Sequence, residues 1–346
     1  MKHLFTILLT LFSFYASGYA QKPFKVVFYN LENFFDLKND PDVLDDEFTP
    51  EGPKKWTKDK YDKKLSNIEK VFFDIAAINK DYPAVIGVCE IENRNVLEDI
   101  VATQKLSPAN YRIVHYDSPE LRGVDAAFMY RPDVLKLEGS KAIRTVIPSL
   151  PDFKTRDIVT MWGKIDQEDF FFMVAHWPSR LGGKEASALR RIAVGNQMRH
   201  IADSVRALRP STKVVMMGDF NDDPTDESIS GEKGIGAKIK VKEVAPADYY
   251  APFAALLKAG YGTLAYGDAW NIFDNIVVSG NLINEDKDQL KLKKTDNSKF
   301  YGHIFKRHYM VQKEGQFKGY PLRTYVGNNF QGGFSDHFPV YIYIGK

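Results

Sequence analysis

Six short stretches of the sequence put groups able to hold a metal, hold an anion or move a proton at the end of an apolar run. "VVFYNLEN" ends in Asn30 and Glu32, and "VIGVCEIEN" in Glu90 and Glu92. "FFMVAHWPSR" ends in His176, with Arg180 just after it. "VVMMGDFND" closes on Asp219 and Asn221, and "WNIFDNIVV" opens its run with Asp274 and Asn275. "GGFSDHFPV" gives Ser335, Asp336 and His337 ahead of a final run. Taken singly, each has an ordinary explanation, because Asp and Asn make turns and caps. Six with one layout point to a shared rim, since strand ends in layered α/β folds converge on one edge and sites are built there. Carboxylate and amide oxygens suit a hard divalent ion such as Mg²⁺, Mn²⁺ or Ca²⁺. One cysteine and dispersed histidines argue against a structural zinc site.

The elements that must position these groups are legible as period-two or wholly apolar runs. Strands are predicted at 25–30, 84–90, 125–130, 158–165, 169–177, 213–219, 272–279 and 339–344. Helices are predicted over 59–80, where Leu65, Ile68, Val71, Phe72 and Ile75 recur at spacings of three and four, and over 186–209, where Gly195 weakens the pattern. Strands and helices alternate, yet several strands follow one another directly, which fits a mixed α/β layered structure. Two stretches read as surface excursions: 36–58, acidic and then basic, and the lysine-rich 284–307, which is either a solvated loop or a nucleic-acid patch.

The first twenty residues stand apart. Lys2 and His3, the run "LFTILLTLFSF" and the small residues up to Ala20 have the layout of a secretory signal peptide, too short for a comfortable membrane span. Cleavage near Ala20 is expected to leave a single domain, 21–346, exported to the periplasm or beyond, with no transmembrane segment. The whole chain carries a formal charge of +2, so bulk charge selects no partner, and nothing points to a protein partner. The lone Cys89 cannot form an internal disulfide and reads as a small buried hydrophobe.

The motif set "FYNLENFF", "CEIEN", "RGVDAAFMYRP", "TRDIV", "AHWPSR", "MGDFND", "FDNIVVS" and "SDHFPV", spread over residues 28–340, resembles the endonuclease/exonuclease/phosphatase superfamily with its deoxyribonuclease I-like fold, and most of all its exported bacterial nuclease-like members. The resemblance implies a four-layer α/β sandwich, two mostly antiparallel sheets face to face with helices outside. It implies metal-assisted attack of water on a phosphate ester. By that resemblance Glu90, Asn30 and Asp336 hold the metal, with Mg²⁺ the first choice. Asp219 orients and deprotonates the water, and Asn221 donates to the phosphate. His337 holds a phosphate oxygen with Asp274 fixing its tautomer. His176 is the second histidine on the phosphate, with Asp125 its candidate acid. Arg156 and Arg180 are substrate-binding groups. Nucleic acid is the leading substrate. A phospholipid head group, inositol phosphate or sugar phosphate is the alternative, and a non-catalytic binding protein on the same fold ranks last.

Overall fold

The computed structural model describes residues 22–283, 288–295 and 297–346; the expected signal peptide and part of the 284–307 excursion lie outside the described residues. In chain order the elements are β1 (Phe24–Phe34), α1 (Lys58–Ala77), β2 (Val85–Ile91), α2 (Arg94–Ala102), β3 (Arg112–His115), β4 (Asp125–Tyr130), β5 (Lys136–Ile143), β6 (Ile158–Ile165), β7 (Glu168–His176), α3 (Lys184–Leu208) and β8 (Lys213–Asp219). There follow β9 (Tyr249–Tyr250), α4 (Ala254–Lys258), β10 (Leu264–Tyr266), β11 (Ala269–Asn271), β12 (Asp274–Ser279), β13 (Lys291–Lys293), β14 (Gly302–Ile304), β15 (Tyr325–Val326), β16 (Asn329–Phe330) and β17 (Val340–Gly345).

Two sheets carry the architecture. One runs β13-β17-β1-β2-β4-β3, with β14 also on β17; the other runs β5-β6-β7-β8-β12-β9. Pairing is antiparallel except for β1–β2 and β7–β8, each a parallel pair at the heart of its sheet. A parallel pair needs a long crossover, and the helices α1 and α3 lie on those two connections. Period-two alternation then sorts the side chains. Val26 and Phe28 of β1 meet Val215 and Met217 of β8 between the sheets. Val27 and Tyr29 turn outward onto Ile68, Val71, Phe72 and Ile75 of α1, while Val214 and Met216 turn outward onto Val194, Met198 and Ala202 of α3. The order helix, sheet, sheet, helix is the four-layer sandwich the motifs imply.

At Gly87 of β2 the facing sheet leaves no room for a side chain, since a Cβ there would lie 2.5 Å from Met217 Sδ and 3.2 Å from Val174 Cγ2. Gly195, which weakens the helical pattern of the sequence, has a similar reason: a Cβ would stand 2.3 Å from the Ser228 carbonyl oxygen, so α3 needs a glycine where that loop presses on it. The sequence does not announce β3, β5, β9–β11 and β13–β16, of which β3 and β5 are the longest. Both lie at sheet edges and alternate poorly, with charged residues such as Arg112, Lys136, Glu138 and Lys141. No helix among the described residues is long and apolar enough to cross a membrane.

Candidate active site

The last rung of the second sheet builds half of the site. In the β7–β8 register His176 stands opposite Asp219, and in the β8–β12 register Asp219 stands opposite Asp274. All three share parity with residues that face the other sheet (Val174, Met217 and Ile276), so their side chains project into the gap between sheets at its end. The first sheet supplies Asn30, of the same parity as Val26 and Phe28, and Glu90. Glu90 escapes the alternation because the β2–β4 register slips between Cys89 and Ile91 and Glu90 takes a left-handed φ of 58°.

Asn30 fastens the two sheets together. Its Nδ2 donates to Glu90 Oε1 at 3.2 Å and to Asp219 Oδ2 at 3.0 Å, while its Oδ1 accepts from the Glu32 amide at 2.8 Å. The Asn33 amide donates to the other Glu90 oxygen at 2.9 Å. His176 Nε2 lies 3.5 Å from Asp219 Oδ2 and 3.9 Å from Glu90 Oε1. From the far end of the sequence His337 closes the ring. Its Nδ1 is 2.7 Å from Asp274 Oδ2, and its Nε2 is 3.8 Å from both Asp219 Oδ2 and Asp336 Oδ1. Ser335 holds this segment in place by donating to the Asn30 carbonyl at 2.7 Å. Glu32, Asn33, Glu90 and Asn221 all have positive φ, locally costly backbone conformations beside Asn30 and Asp219.

The cavity is about 480 Å³ and is lined by Glu90, His176, Asp219, Asn221, Asp336 and His337, with Glu120, Arg122, Lys154, Arg156 and Arg190 toward one side. Burial pushes the Asp219 carboxyl up to about 7, reinforced by Asp274 and opposed by His337. Burial disfavours the charged form of His337 as well, yet the carboxylates of Asp274, Asp219 and Asp336 outweigh it and hold its pKa well above the ordinary imidazole range. His176 goes the other way: burial, with Arg156, Arg122 and His337 nearby, holds it well below that range, so it is neutral. One rim therefore holds a carboxylate poised near neutral pH, a cationic imidazole and a neutral imidazole.

Some expected partners differ. Asp125 does not pair with His176. It lies 3.0 Å from His115 Nε2 and accepts from the Ser118 amide at 3.0 Å, and His176 Nδ1 is buried without a hydrogen-bond partner. The reason is parity: Ala126 and Phe128 of β4 face the gap between sheets, so Asp125 faces the helical layer, on the face where His115 lies diagonally across from it. Among the described residues, His115, Asp117 and Asp125 are the group that gathers three potential ligand atoms within 4.8 Å. Arg180 does not face the cavity as a substrate group. It is bound to Asp222 at 3.1 Å and Asp226 at 3.0 Å and lies over the Phe273 ring, which makes it a brace for the loop after β8. That loop's acids divide accordingly. Asp219 and Asn221 reach the cavity, Asp222 holds the fully buried Arg191 at 2.8 Å, and Asp223 accepts from the Ile272 amide at 2.7 Å. Asp336 lines the cavity while paired with Arg323 at 3.2 Å. Asn221 gives one amide hydrogen to the Trp177 carbonyl at 3.0 Å, which leaves its second for the cavity.

Sequence reasoning missed Arg122, Glu120 and Lys64. Glu120 Oε1 lies 3.1 Å from Arg122 Nε and 3.5 Å from Arg156 Nη2, so one carboxylate holds two guanidinium groups at the cavity edge. Arg156 is 8% exposed, and its Nε has no partner. Arg122 was visible as the first residue of "RGVDAAF". Lys64 is buried on the sheet-facing side of α1, where its Nζ donates to Thr324 Oγ1 at 2.6 Å and the Phe334 carbonyl at 2.7 Å, anchoring the loop ahead of Asp336. A lysine inside an apolar helical stripe was the available signal.

A model of the Endonuclease/Exonuclease/phosphatase family matches residues 25–346. The chain belongs to this family. No curated protein matches the sequence at a significant level. Among solved structures, the family member is similar to a mannosyl-6-phosphatase of Bacteroides thetaiotaomicron, with 16% identity, 93% of this chain and 100% of that chain covered, and a TM-score of 0.55. It is similar to a humanized D. rerio TDP2, with 13% identity, coverage of 94% and 99%, and a TM-score of 0.54. The catalytic domain of human Nocturnin with bound sulfate gives 15% identity, coverage of 93% and 94%, and a TM-score of 0.51. At these identities the likeness is one of fold. Family membership makes the protein a phosphoester-hydrolysing enzyme.

Proposed function

We propose that the protein is an exported, divalent-metal-dependent nuclease that hydrolyses phosphodiester bonds. The observation that carries the reading is the meeting of Glu90, Asp219 and His337, from three remote parts of the chain, around one cavity whose other side bears Arg122, Lys154, Arg156 and Arg190. A cationic rim beside a hydrolytic centre suits a polyanion. Small phosphate esters form the second reading. The overall charge of +2 favours them, as does the likeness in fold to a mannosyl-6-phosphatase.

Asp219 acts as the base. A carboxyl with a pKa of about 7 can accept a proton from water at neutral pH, and Asn30, donating to its Oδ2, fixes its orientation. His337, kept protonated by Asp274, donates from Nε2 to a phosphate oxygen as negative charge builds there. Neutral His176 and the free amide hydrogen of Asn221 donate to the same group. Arg156, with its unpartnered Nε, and Arg122 hold the anion on the far side. The donor set fits a hard divalent ion. Glu90 and Asp336 offer carboxylate oxygens to the cavity, no thiol lines it, and Mg²⁺ is commonly held by one or two carboxylates plus waters and substrate phosphate. Such an ion supplies charge neutralisation at the phosphate and the leaving oxygen.

The test is a substrate panel on the purified protein lacking residues 1–20: linear and circular single-stranded DNA, RNA, bis-p-nitrophenyl phosphate, p-nitrophenyl phosphate and mannose 6-phosphate, each with Mg²⁺, Mn²⁺ or Ca²⁺. Cleavage of nucleic acid that is lost in Asp219→Ala and His337→Ala is expected. Turnover of monoesters alone would replace the nuclease reading with the second one. Export is tested by fractionating cells that express the full chain, where retention of uncleaved protein in the cytoplasm would refute it.

A further inference from the structure

A second cavity, about 410 Å³, lies beside the catalytic one and has no part in the chemistry above. The two are one residue apart: Leu264 of β10 lines the catalytic cavity and Ala265 lines its neighbour. They are joined again through the Arg323–Asp336 ion pair, since Arg323 lines the second cavity and Asp336 the first. The second cavity therefore adjoins the catalytic one on the side of Asp336.

Its lining has a definite chemistry. One wall is aromatic: Phe317 packs on Tyr320 at 5.8 Å between ring centroids, and Tyr320 on Trp270 at 5.9 Å. Tyr320 is fixed, because its hydroxyl donates to Asp268 Oδ1 at 2.6 Å and accepts from the Asp268 amide at 2.7 Å. Tyr266, on the β10–β11 hairpin, adds a ring that is 80% exposed, and Phe317 is 40% exposed. Unpacked rings at a cavity offer stacking faces rather than core. Around them stand the amides of Gln312, Gln316, Asn329 and Gln331, groups that both donate and accept. Charge is nearly absent. Arg323, half-exposed and paired with Asp336, is the one cation in the lining, and Glu314 is the one acid.

We propose that this cavity binds the terminal nucleoside of a single strand, its base stacked on Tyr266 and Phe317 and its edge read by the amides, so that the enzyme works from a strand end. This rests on the nuclease reading and deepens it. Stacking faces with neutral polar edges match a base. The scarcity of cations matches a strand that stops there, because a continuing chain would bring a further phosphate against Glu314 with only the Asp336-paired Arg323 to meet it. The cationic residues Arg122, Lys154, Arg156 and Arg190 lie in the catalytic cavity, where the rest of the strand would leave.

The test compares Tyr266→Ala and Phe317→Ala with the parent on four substrates. These are a linear single-stranded oligonucleotide, the same strand with an abasic tetrahydrofuran residue at its first position, the same with it at its last, and the strand closed into a circle. Both rings are exposed, so the variants are expected to fold, and circular dichroism checks that they do. Each should lose about tenfold in kcat/KM on the intact strand and nothing on one of the two abasic strands, and the circle should resist the parent enzyme. Equal losses on all linear strands, no loss on any, or circle cleavage at the linear rate each overturn the proposal while leaving the nuclease reading intact. Hydrolysis of mannose 6-phosphate with no nucleic acid cleaved overturns both; if its KM rises in the two variants, the cavity holds a sugar.

Discussion

His337 Nδ1 lies 2.7 Å from Asp274 Oδ2, and Asp274 stands directly across the β8–β12 ladder from Asp219. A residue just ahead of the first sheet's last strand is thus held by a carboxylate of the second sheet, on the same rung as Asp219. Asp274 is fully buried, so this contact is shielded from solvent and counter-ions.

The first prediction follows from that contact. Asp274→Asn should lower kcat by about a hundredfold, the scale for disabling a positioned proton donor. With one opposing carboxylate gone, burial counts for more and the pKa of His337 falls from its raised position. The basic limb of the kcat–pH profile should therefore move to lower pH. A basic limb that stays in place would show that His337 does not act in its protonated form.

Metal removal gives the second. EDTA should abolish turnover and excess Mg²⁺ restore it, and Glu90→Gln should raise the Mg²⁺ concentration needed for half-maximal activity by about tenfold or more. Isothermal titration of Mg²⁺ into the chelated protein checks the binding separately. Full activity after exhaustive chelation would contradict the role given to Glu90.

The third concerns stability. Arg191 is fully buried with Asp222 at 2.8 Å, and Asp222 also accepts from Ser228 Oγ at 2.6 Å. Arg191→Met strands much of that carboxylate's charge in the interior and should cost about 3–5 kcal/mol in urea unfolding. Arg191→Met combined with Asp222→Asn should recover part of the loss. A single variant as stable as the parent would mean that Arg180 alone satisfies Asp222.

The fourth is a pH effect away from the site. His303 is stacked on Tyr341 at 4.9 Å with its Nε2 unpartnered, and burial lowers its pKa to about 4. The unfolded chain binds this proton near pH 6.5 and the folded chain only near 4. The stability tied to this group is thus complete above 6.5 and is lost as pH falls from 6.5 toward 4. As pH falls from 6.5 toward 4, the melting temperature of the parent should drop relative to that of His303→Phe, which has no such proton to bind. A parallel pH dependence would remove His303 as the cause.

What was legible in the sequence is the set of strand ends. Asn30, Glu90, His176, Asp219, Asp274 and His337 each lie at or close to the end of an apolar run that marks a central strand, and central strands of packed sheets share an edge. The partners were less legible, because pairing depends on which face a residue takes. Asp125 has the right type and the right strand end, and lies on the wrong side of its sheet for His176. Arg180 follows His176 closely, yet three aspartates of a loop some forty residues on claim its guanidinium. Glu120 as a shared anchor for Arg122 and Arg156 depends on a loop conformation that no periodicity encodes.

The strand Val340–Gly345 occupies an interior place in its sheet, hydrogen-bonded to β1 on one side and to β13 and β14 on the other. Asp336 and His337 immediately precede it. The amino-terminal edge of the gap is thus synthesised about three hundred residues before the segment that completes it. A nascent chain still on the ribosome carries Asp219 without His337. The rim is whole only once the last strand has neighbours on both sides.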